Sequence, residues 1–440
     1  MASKRTPAQD AGRVTGQPAR DAATGLSVLV LQGGGALGAY QGGAFEALVG
    51  CAHEPDWIAG ISIGAINAAL IAGNPRARRR QRLRAFWDRI SSGVPDRGFG
   101  AAQRDSILAL ASDWSAAWSV SFGLPGFFAP RPGAALWPGP MPNPSFYDTA
   151  PLAETLRELI DFKLLNDGPI RISVGAVDVE SGNFAYFDNR EQTIGVEHIL
   201  ASGALPPGFP AVPIAGRWYW DGGLVSNTPL QHVTERLEGD GQVTIFQVDL
   251  FSAQGPLPDT HANVAERIKD IRYSSRTRAI TDKIAAQVEL HGRIRALAEM
   301  LPPARRADPE VKRLLADTRD PAITLVHLIY RQNAWLTQSK DYEFSRTTID
   351  EHWQAGRADM ATSLERLARA PALTGKCRFR VFDYVDKPAA VDRTAAIGGT
   401  AAIDGTPAID RTPAIDRTPA VDRTHAIERP GIDQPKVDSR

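Results

Sequence analysis

The chain has 440 residues, 50 basic against 50 acidic side chains, and 43% hydrophobic residues. That length gives one large domain or two ordinary ones with chain enough to bury a core, and zero formal net charge sets aside a dedicated nucleic-acid binder. Two cysteines, Cys51 and Cys377, are too few for a disulfide framework or a four-thiolate metal centre, which suits a reducing compartment.

Residues 1–24 are polar and small, without the apolar core of a signal peptide, and are expected to form a disordered leader. The uncharged stretches 22–45 and 58–73 are too rich in glycine and polar residues, or too short, to span a bilayer. The expectation is a soluble, cytoplasmic chain with any membrane contact peripheral.

Leu26–Leu31 is a short apolar run of the kind found in buried strands. It enters a run with glycine at 33, 34, 35 and 38, and residues 39–49 have helical composition. The plan repeats with a strand at 57–60, a turn at Ser62 and a helix at 63–72, followed by a charged helix at 76–89. Residues 112–151 are rich in proline, glycine and aromatics, among them Trp114, Trp118, Phe122, Phe127, Phe128, Trp137 and Phe146. Such a segment reads as a functional loop or lid, or as a loop packed on the sheet.

Strands are expected at 170–177, 183–187, 217–220 and 243–250, with a short helix at 196–201. Alternation of strands and helices predicts an α/β domain, residues 25–252, around a mostly parallel sheet. Residues 253–387 read as a mostly helical extension: helix over 263–300, with Ile280, Ile284 and Val288 on one stripe, helix over 345–370, and added strands at 323–330 and 378–385. Residues 388–440 carry a six-residue repeat, best at 407–412 and 413–418. Proline in each copy and one large apolar residue per turn predict a disordered tail.

The chemistry concentrates in three places. Gly60, Ser62 and Gly64 form a Gly-x-Ser-x-Gly elbow between a strand and a helix, a context that thrusts the serine hydroxyl out of the backbone. By itself the motif also fits a close-packed turn with an incidental serine. The glycine loop at 33–38 lets backbone amides converge on an anion, a phosphate or an oxyanion. Its spacing matches a dinucleotide fingerprint, but Glu54 and Asp56 precede the second strand instead of closing it. No lysine follows the glycines, so a P-loop is excluded as well. The third place is Asp221, Gly222 and Gly223, after a short aromatic strand. In isolation it would be an ordinary Asp-Gly turn. The eight histidines sit in no loop motif with a partner acid, and no His, Cys or acid pair has metal-ligand spacing.

In this order the three motifs resemble bacterial patatin-like phospholipases over about 26–250. Residues 201–210 are similar to the family's stretch before its aspartate, and 263–370 resemble the extension of one bacterial subgroup. The resemblance implies a three-layer α/β/α patatin-like fold with a helical C-terminal extension. It implies Ser62 as nucleophile, Asp221 as general base of a Ser-Asp dyad, and the amides of Gly33, Gly34 and Gly35 as oxyanion hole, with Gly38, Gly60, Gly64, Gly222 and Gly223 as motif glycines. Leu37 departs from the family, many of whose members carry arginine or lysine there.

The expected chemistry needs no cofactor and no metal. Burial beside Ser62 would raise the Asp221 carboxyl above its usual 3.9 or so and make it a base, and water would resolve the acyl-enzyme. The implied partners are a lipid or other acyl-ester substrate and, peripherally, a membrane surface, to which the arginines from Arg76 to Arg84 could contribute unless they form a solvated helical face. No nucleic-acid partner is implied. Two alternatives stand beside the lipid acyl hydrolase: an esterase or polyester depolymerase with the same dyad, and a membrane-surface scaffold whose hydrolase site has lapsed.

Overall fold

The computed structural model describes residues 25–91, 123–131, 143–239, 241–274, 277–318, 321–331, 343–371, 373 and 378–383. The expected leader and repeat tail lie outside the described residues, as do Trp114, Trp118, Phe122 and Trp137.

In chain order the strands are β1 (Leu26–Leu31), β2 (Trp57–Ile61), β3 (Ala129–Pro130), β4 (Tyr147–Asp148), β5 (Arg171–Asp178), β6 (Phe184–Asp188), β7 (Val212–Ile214), β8 (Arg217–Asp221), β9 (Gln242–Asp249), β10 (Ala322–Ile329) and β11 (Phe379–Asp383). The helices are α1 (Gly38–Leu48), α2 (Ile63–Ala72), α3 (Arg79–Ile90), α4 (Ala150–Leu159), α5 (Phe162–Asp167), α6 (Val196–Ser202), α7 (Leu230–Glu235), α8 (His261–Tyr273), α9 (Thr277–Glu299), α10 (Pro303–Arg306), α11 (Pro309–Asp317) and α12 (Arg346–Arg369).

β1 lies inside the sheet, parallel to β2 on one side and β9 on the other, with Val28 opposite Trp57 and Ile245. The full order is β11-β10-β9-β1-β2-β5-β8-β7, with β6 also on β5. The run from β11 to β5 is parallel, and β6, β7 and β8 close the far side antiparallel. A parallel sheet must be covered on both faces, and this one is. Leu29, Leu31, Ile58 and Val248 face a core built with α1, α2, α3 and α12. Val28, Val30, Ala59, Ile245 and Leu325 face a second core that receives Leu230 and Val233 of α7 and Ile284 of α9. The result is a three-layer α/β/α fold with a largely helical C-terminal region.

That region also extends the sheet. β10 pairs with β9 from Ala322↔Gln242 to Ile329↔Asp249, and β11 pairs with β10. The expected boundary at residue 252 therefore falls between neighbouring strands of one sheet. On the outer layer α12 crosses α1 at contact distance. A Cβ on Gly43 would lie 1.8 Å from the Trp353 carbonyl, and one on Gly356 would lie 1.9 Å from the Tyr40 carbonyl. Tyr40 donates to Asp359 at 2.7 Å and Trp353 Nε1 to Glu46 at 2.5 Å.

The single helix expected over 263–300 is two helices. α8 stops at Tyr273 because Ser274 turns extended, and the Tyr273 carbonyl accepts side-chain amides from Gln32 at 3.1 Å and Asn227 at 3.0 Å. Four arginines of the 76–84 run meet acids or backbone. Arg76 pairs with Glu54 at 2.6 Å, Arg80 with Glu46 at 3.6 Å, Arg84 with Asp88 and Asp350, and buried Arg79 donates to the Asn74 carbonyl at 3.2 Å. No helix among the described residues is long and apolar enough to cross a membrane.

Candidate active site

β2 ends at Ile61, α2 begins at Ile63, and Ser62 alone makes the turn. Its φ of 57° and ψ of −124° lie where residues with a Cβ are rarely found. Such a backbone persists only when its surroundings over-determine it, and here they do. The Ser62 amide donates to Ser202 Oγ at 3.0 Å, and Ser202 Oγ donates to the Gly175 carbonyl at 2.6 Å. The Ser62 carbonyl accepts from Ala65 at 2.9 Å and Ile66 at 3.2 Å, starting the helix. Gly60 and Gly64 are required for space: a Cβ on the first would sit 2.3 Å from the Gly64 carbonyl, and on the second 2.4 Å from the Leu31 carbonyl.

Asp221 closes β8, opposite Ala176 of β5, and is 2% exposed. The Gly223 amide donates to its carboxylate at 2.7 Å, and the Ser62 hydroxyl lies near enough to act on it. Burial pushes the carboxyl up to about 6 from an ordinary 3.8, with the Ser62 hydroxyl and the Gly223 amide pulling the other way. The motif glycines let the loop sit close: a Cβ on Gly222 would lie 2.8 Å from the Gly175 carbonyl, and one on Gly223 3.1 Å from Asp221 Oδ1.

The glycine loop passes beside Ser62, where a Cβ on Gly33 would be 2.9 Å from the serine Cβ. One expectation needs correcting here. The Gly33 amide donates to the Asn227 carbonyl at 3.2 Å, so it is not free to hold an anion. Gly34 and Gly35 are half-buried, and among the described residues their amides meet no backbone acceptor. Gly35 takes φ +56° to open the short 3-10 turn that leads into α1. Gly38 brings α1 onto α2, with its Cβ position 2.5 Å from Ile63 Cγ1.

Sequence reasoning did not assign Gln32, Ser202 and Asn227. Gln32 is fully buried. Its Oε1 accepts the amides of Leu250 at 2.6 Å and Phe251 at 3.0 Å, and its Nε2 donates to Thr228 at 3.0 Å as well as to Tyr273. Asn227 donates to the Gly33 carbonyl at 3.0 Å. Ser202 lies in the 201–210 stretch and Asn227 six residues after Asp221, but their bonds reach too far along the chain for any local signal.

Ser62, Asp221, Gly34 and Gly35 open onto a cavity of about 330 Å³. Its other walls are apolar and largely aromatic. Ring centroids lie 4.7 Å apart for Phe128 and Tyr147, 5.5 Å for Phe128 and Phe209, and 5.8 Å for Phe127 and Phe344. Part of the aromatic, proline-rich segment thus forms cavity wall through Phe127, Phe128, Phe146 and Tyr147. No lysine, arginine or histidine stands among the described lining residues. Leu37 is itself fully buried.

Three of the histidines are engaged elsewhere. His327 Nε2 meets Asp249 at 2.6 Å, but β10 lies three strands from β2, roughly 14 Å at ordinary strand spacing. His232 stacks on Tyr186 at 3.6 Å, and His198 accepts from the Gly195 amide at 2.9 Å. Among the described residues no cluster of three or more His, Cys, Asp or Glu side chains is arranged for a metal.

The model of a family described as patatin-like phospholipase matches residues 29–234, and a second, described as patatin phospholipase, matches 271–371. No curated protein sequence matches significantly. Among solved structures, VipD from Legionella pneumophila is similar at 14% identity and a TM-score of 0.34, over 78% of this chain and 67% of that one. The type III effector protein ExoU is similar at 13% and 0.30, over 78% and 53%. Human GIVD cytosolic phospholipase A2 is similar at 11% and 0.35, over 79% and 60%. The chain thus spans about half to two thirds of the length of these proteins.

Proposed function

This chain belongs to the patatin-like phospholipase family, and from that premise we propose that it is a serine lipid acyl hydrolase working through Ser62 and Asp221. The observation that carries the reading is the strained Ser62 beside a buried carboxylate, both at the wall of an apolar cavity. Asp221 takes the hydroxyl proton as Ser62 Oγ attacks the ester carbonyl. A carboxyl near 6 is ionised at neutral pH yet basic enough for the task. The amides of Gly34 and Gly35 receive the oxyanion, helped by the N-terminus of α2. The alcohol leaves with the proton from Asp221. Water then attacks the acyl-enzyme with Asp221 again as base, and Ser62 is restored.

A second reading, an esterase acting on uncharged esters, draws support from the apolar cavity walls and from Leu37 in place of a cation. The experiment is a panel of phospholipid, lysophospholipid, short-chain ester and polyester substrates, run with wild type and Ser62→Ala, alongside labelling by a fluorophosphonate. Hydrolysis of lipid, lost with Ser62, supports the first reading. Hydrolysis confined to short esters or polyester moves the assignment to the second. Absence of both turnover and labelling would return the protein to the lapsed scaffold.

A further inference from the structure

Two walls of the cavity come from the C-terminal region. Tyr273 and Phe344 both fall within residues 271–371, outside the segment that supplies Ser62 and Asp221. Tyr273 stands at the catalytic end, where its carbonyl receives Asn227 and Gln32. Phe344 belongs to the aromatic wall. It packs on Phe127, which in turn packs on Phe86 of α3 at 6.3 Å and on Phe209 at 6.3 Å. The first turn of α2 presents Ile63 and Ile66 to the cavity. At 1.5 Å per residue, Ile66 is about 6 Å along the axis from Ser62.

Phe344 is also held in place. It is 2% exposed, and the residues on either side are tied together: the Ser345 amide donates to Glu343 Oε1 at 2.9 Å. Ser345 caps α12 by accepting from the Thr348 amide, and Arg346 and Asp350 of the first turn pair with Asp88 and Arg84 of α3. The backbone that carries the ring is thus tied into the start of a 24-residue helix.

We infer that Phe344 is the stop that sets acyl-chain length, and that the C-terminal region acts at this site as its length gauge. The inference rests on the reading of Ser62 as the acylated residue: an acyl chain whose carbonyl carbon is at Ser62 Oγ runs past Ile63 and Ile66 toward the Phe127 and Phe344 rings. Hydrophobic pockets discriminate by methylenes, typically tenfold or more for each one gained or lost.

The test compares kcat/KM on p-nitrophenyl esters from butyrate to palmitate for wild type, Phe344→Ala, Phe344→Leu and Phe344→Trp. Labelling rates of Ser62 by alkyl fluorophosphonates of matching lengths run in parallel, and melting curves verify folding. Expected is a rise of about tenfold in the long-to-short ratio for Phe344→Ala, a smaller rise for Phe344→Leu and a fall for Phe344→Trp, in both assays. A common factor at every length, or an unmoved ratio in the folded Leu and Trp variants, overturns the gauge while leaving Ser62 in its role. Failure of Ser62 to label at any length overturns the catalytic reading and the gauge with it.

Discussion

Gly33 and Asn227 exchange two hydrogen bonds across 194 residues of sequence: the Gly33 amide donates to the Asn227 carbonyl at 3.2 Å, and the Asn227 side-chain amide donates back to the Gly33 carbonyl at 3.0 Å. The pair fixes the glycine loop at its root, next to Gly34 and Gly35 on the cavity wall. Asn227 thereby connects the two halves of the proposed catalytic apparatus, since Gly223 lies against its side chain.

Asn227→Ala should therefore lower kcat about 10- to 100-fold on a soluble ester, while KM changes by no more than a few fold, because the loss falls on oxyanion placement and not on substrate burial. Steady-state kinetics separates the two. A rise in KM at constant kcat would show that Asn227 serves binding alone.

Ser62→Ala should abolish ester hydrolysis and fluorophosphonate labelling while keeping the fold. Ser62→Gly should be equally inactive but more stable than Ser62→Ala by about 1 kcal/mol, because glycine takes a φ of 57° without strain. Melting curves of the two variants read the difference. Equal stabilities would mean the elbow stores no strain.

Asp221 gives a pH signature of both activity and stability. Activity needs the carboxylate, so kcat/KM should rise with pH, reach half its plateau near 6, and be lost in Asp221→Asn. The folded-state value lies above the unfolded value of about 3.9, so this group's contribution to stability is fully present below pH 4 and is lost as pH rises through 6. Asparagine does not titrate. Asp221→Asn should therefore gain on wild type from near pH 4 to pH 8, by about 3 kcal/mol in all. Urea titrations at both pH values measure this, and a gap that shrinks with pH would contradict it.

His352 behaves with the opposite sign. It lies on α12 against Tyr330, the ring centroids 4.9 Å apart, and among the described residues neither ring nitrogen has a hydrogen-bond partner. Burial holds the imidazole down at about 3. The unfolded chain binds its proton more readily, so stability present above about pH 6.5 is lost as pH falls. His352→Leu should be neutral or stabilising at pH 8, since it removes two unsatisfied polar atoms. Its advantage over wild type should then grow by about 1.4 kcal/mol per pH unit below 6.5. A variant equally destabilised at pH 8 and pH 5 would show that the ring is needed for its shape.

Gly356→Ala tests the contact between α1 and α12. Its new methyl group would meet the Tyr40 carbonyl at 1.9 Å, and backbone cannot yield as a side-chain tip does. A loss of about 3 kcal/mol is expected, with lower activity because α1 carries the glycine loop at its start. An unchanged melting temperature would mean that the helices slide apart freely.

What the sequence made legible was local. Leu26–Leu31 reads as a buried strand because a parallel strand shows an unbroken apolar run, and Gly60, Ser62 and Gly64 read as an elbow because the turn lies within five residues. Glycine 33 resembled its two neighbours until Asn227 was seen against it. Gln32, Ser202 and Asn227 have partners 140 to 241 residues away, so nothing nearby betrays them. The break after Tyr273 has the same origin: its carbonyl bonds Gln32 and Asn227 in place of continuing a helix. Helix α4 was missed because Pro151 was read with the irregular segment before it, whereas proline at a helix start needs no amide partner. That β10 joins β9 is a matter of register between segments 80 residues apart, which periodicity does not encode.

The position of β1 has a consequence for the growing polypeptide. Ser62 leaves the ribosome early, and Asp221 follows within the first half or so of the chain. The Gln32 carboxamide cannot fill its bonds until Leu250, Phe251 and Tyr273 have emerged, and β1 has only β2 beside it until β9 arrives. Tyr40 and Glu46 wait longer still for α12. A nascent chain thus carries its serine and aspartate well before the glycine loop has a seat. On the proposed reading, hydrolytic competence waits for the C-terminal region, and nascent chains that stop short of it would be inactive.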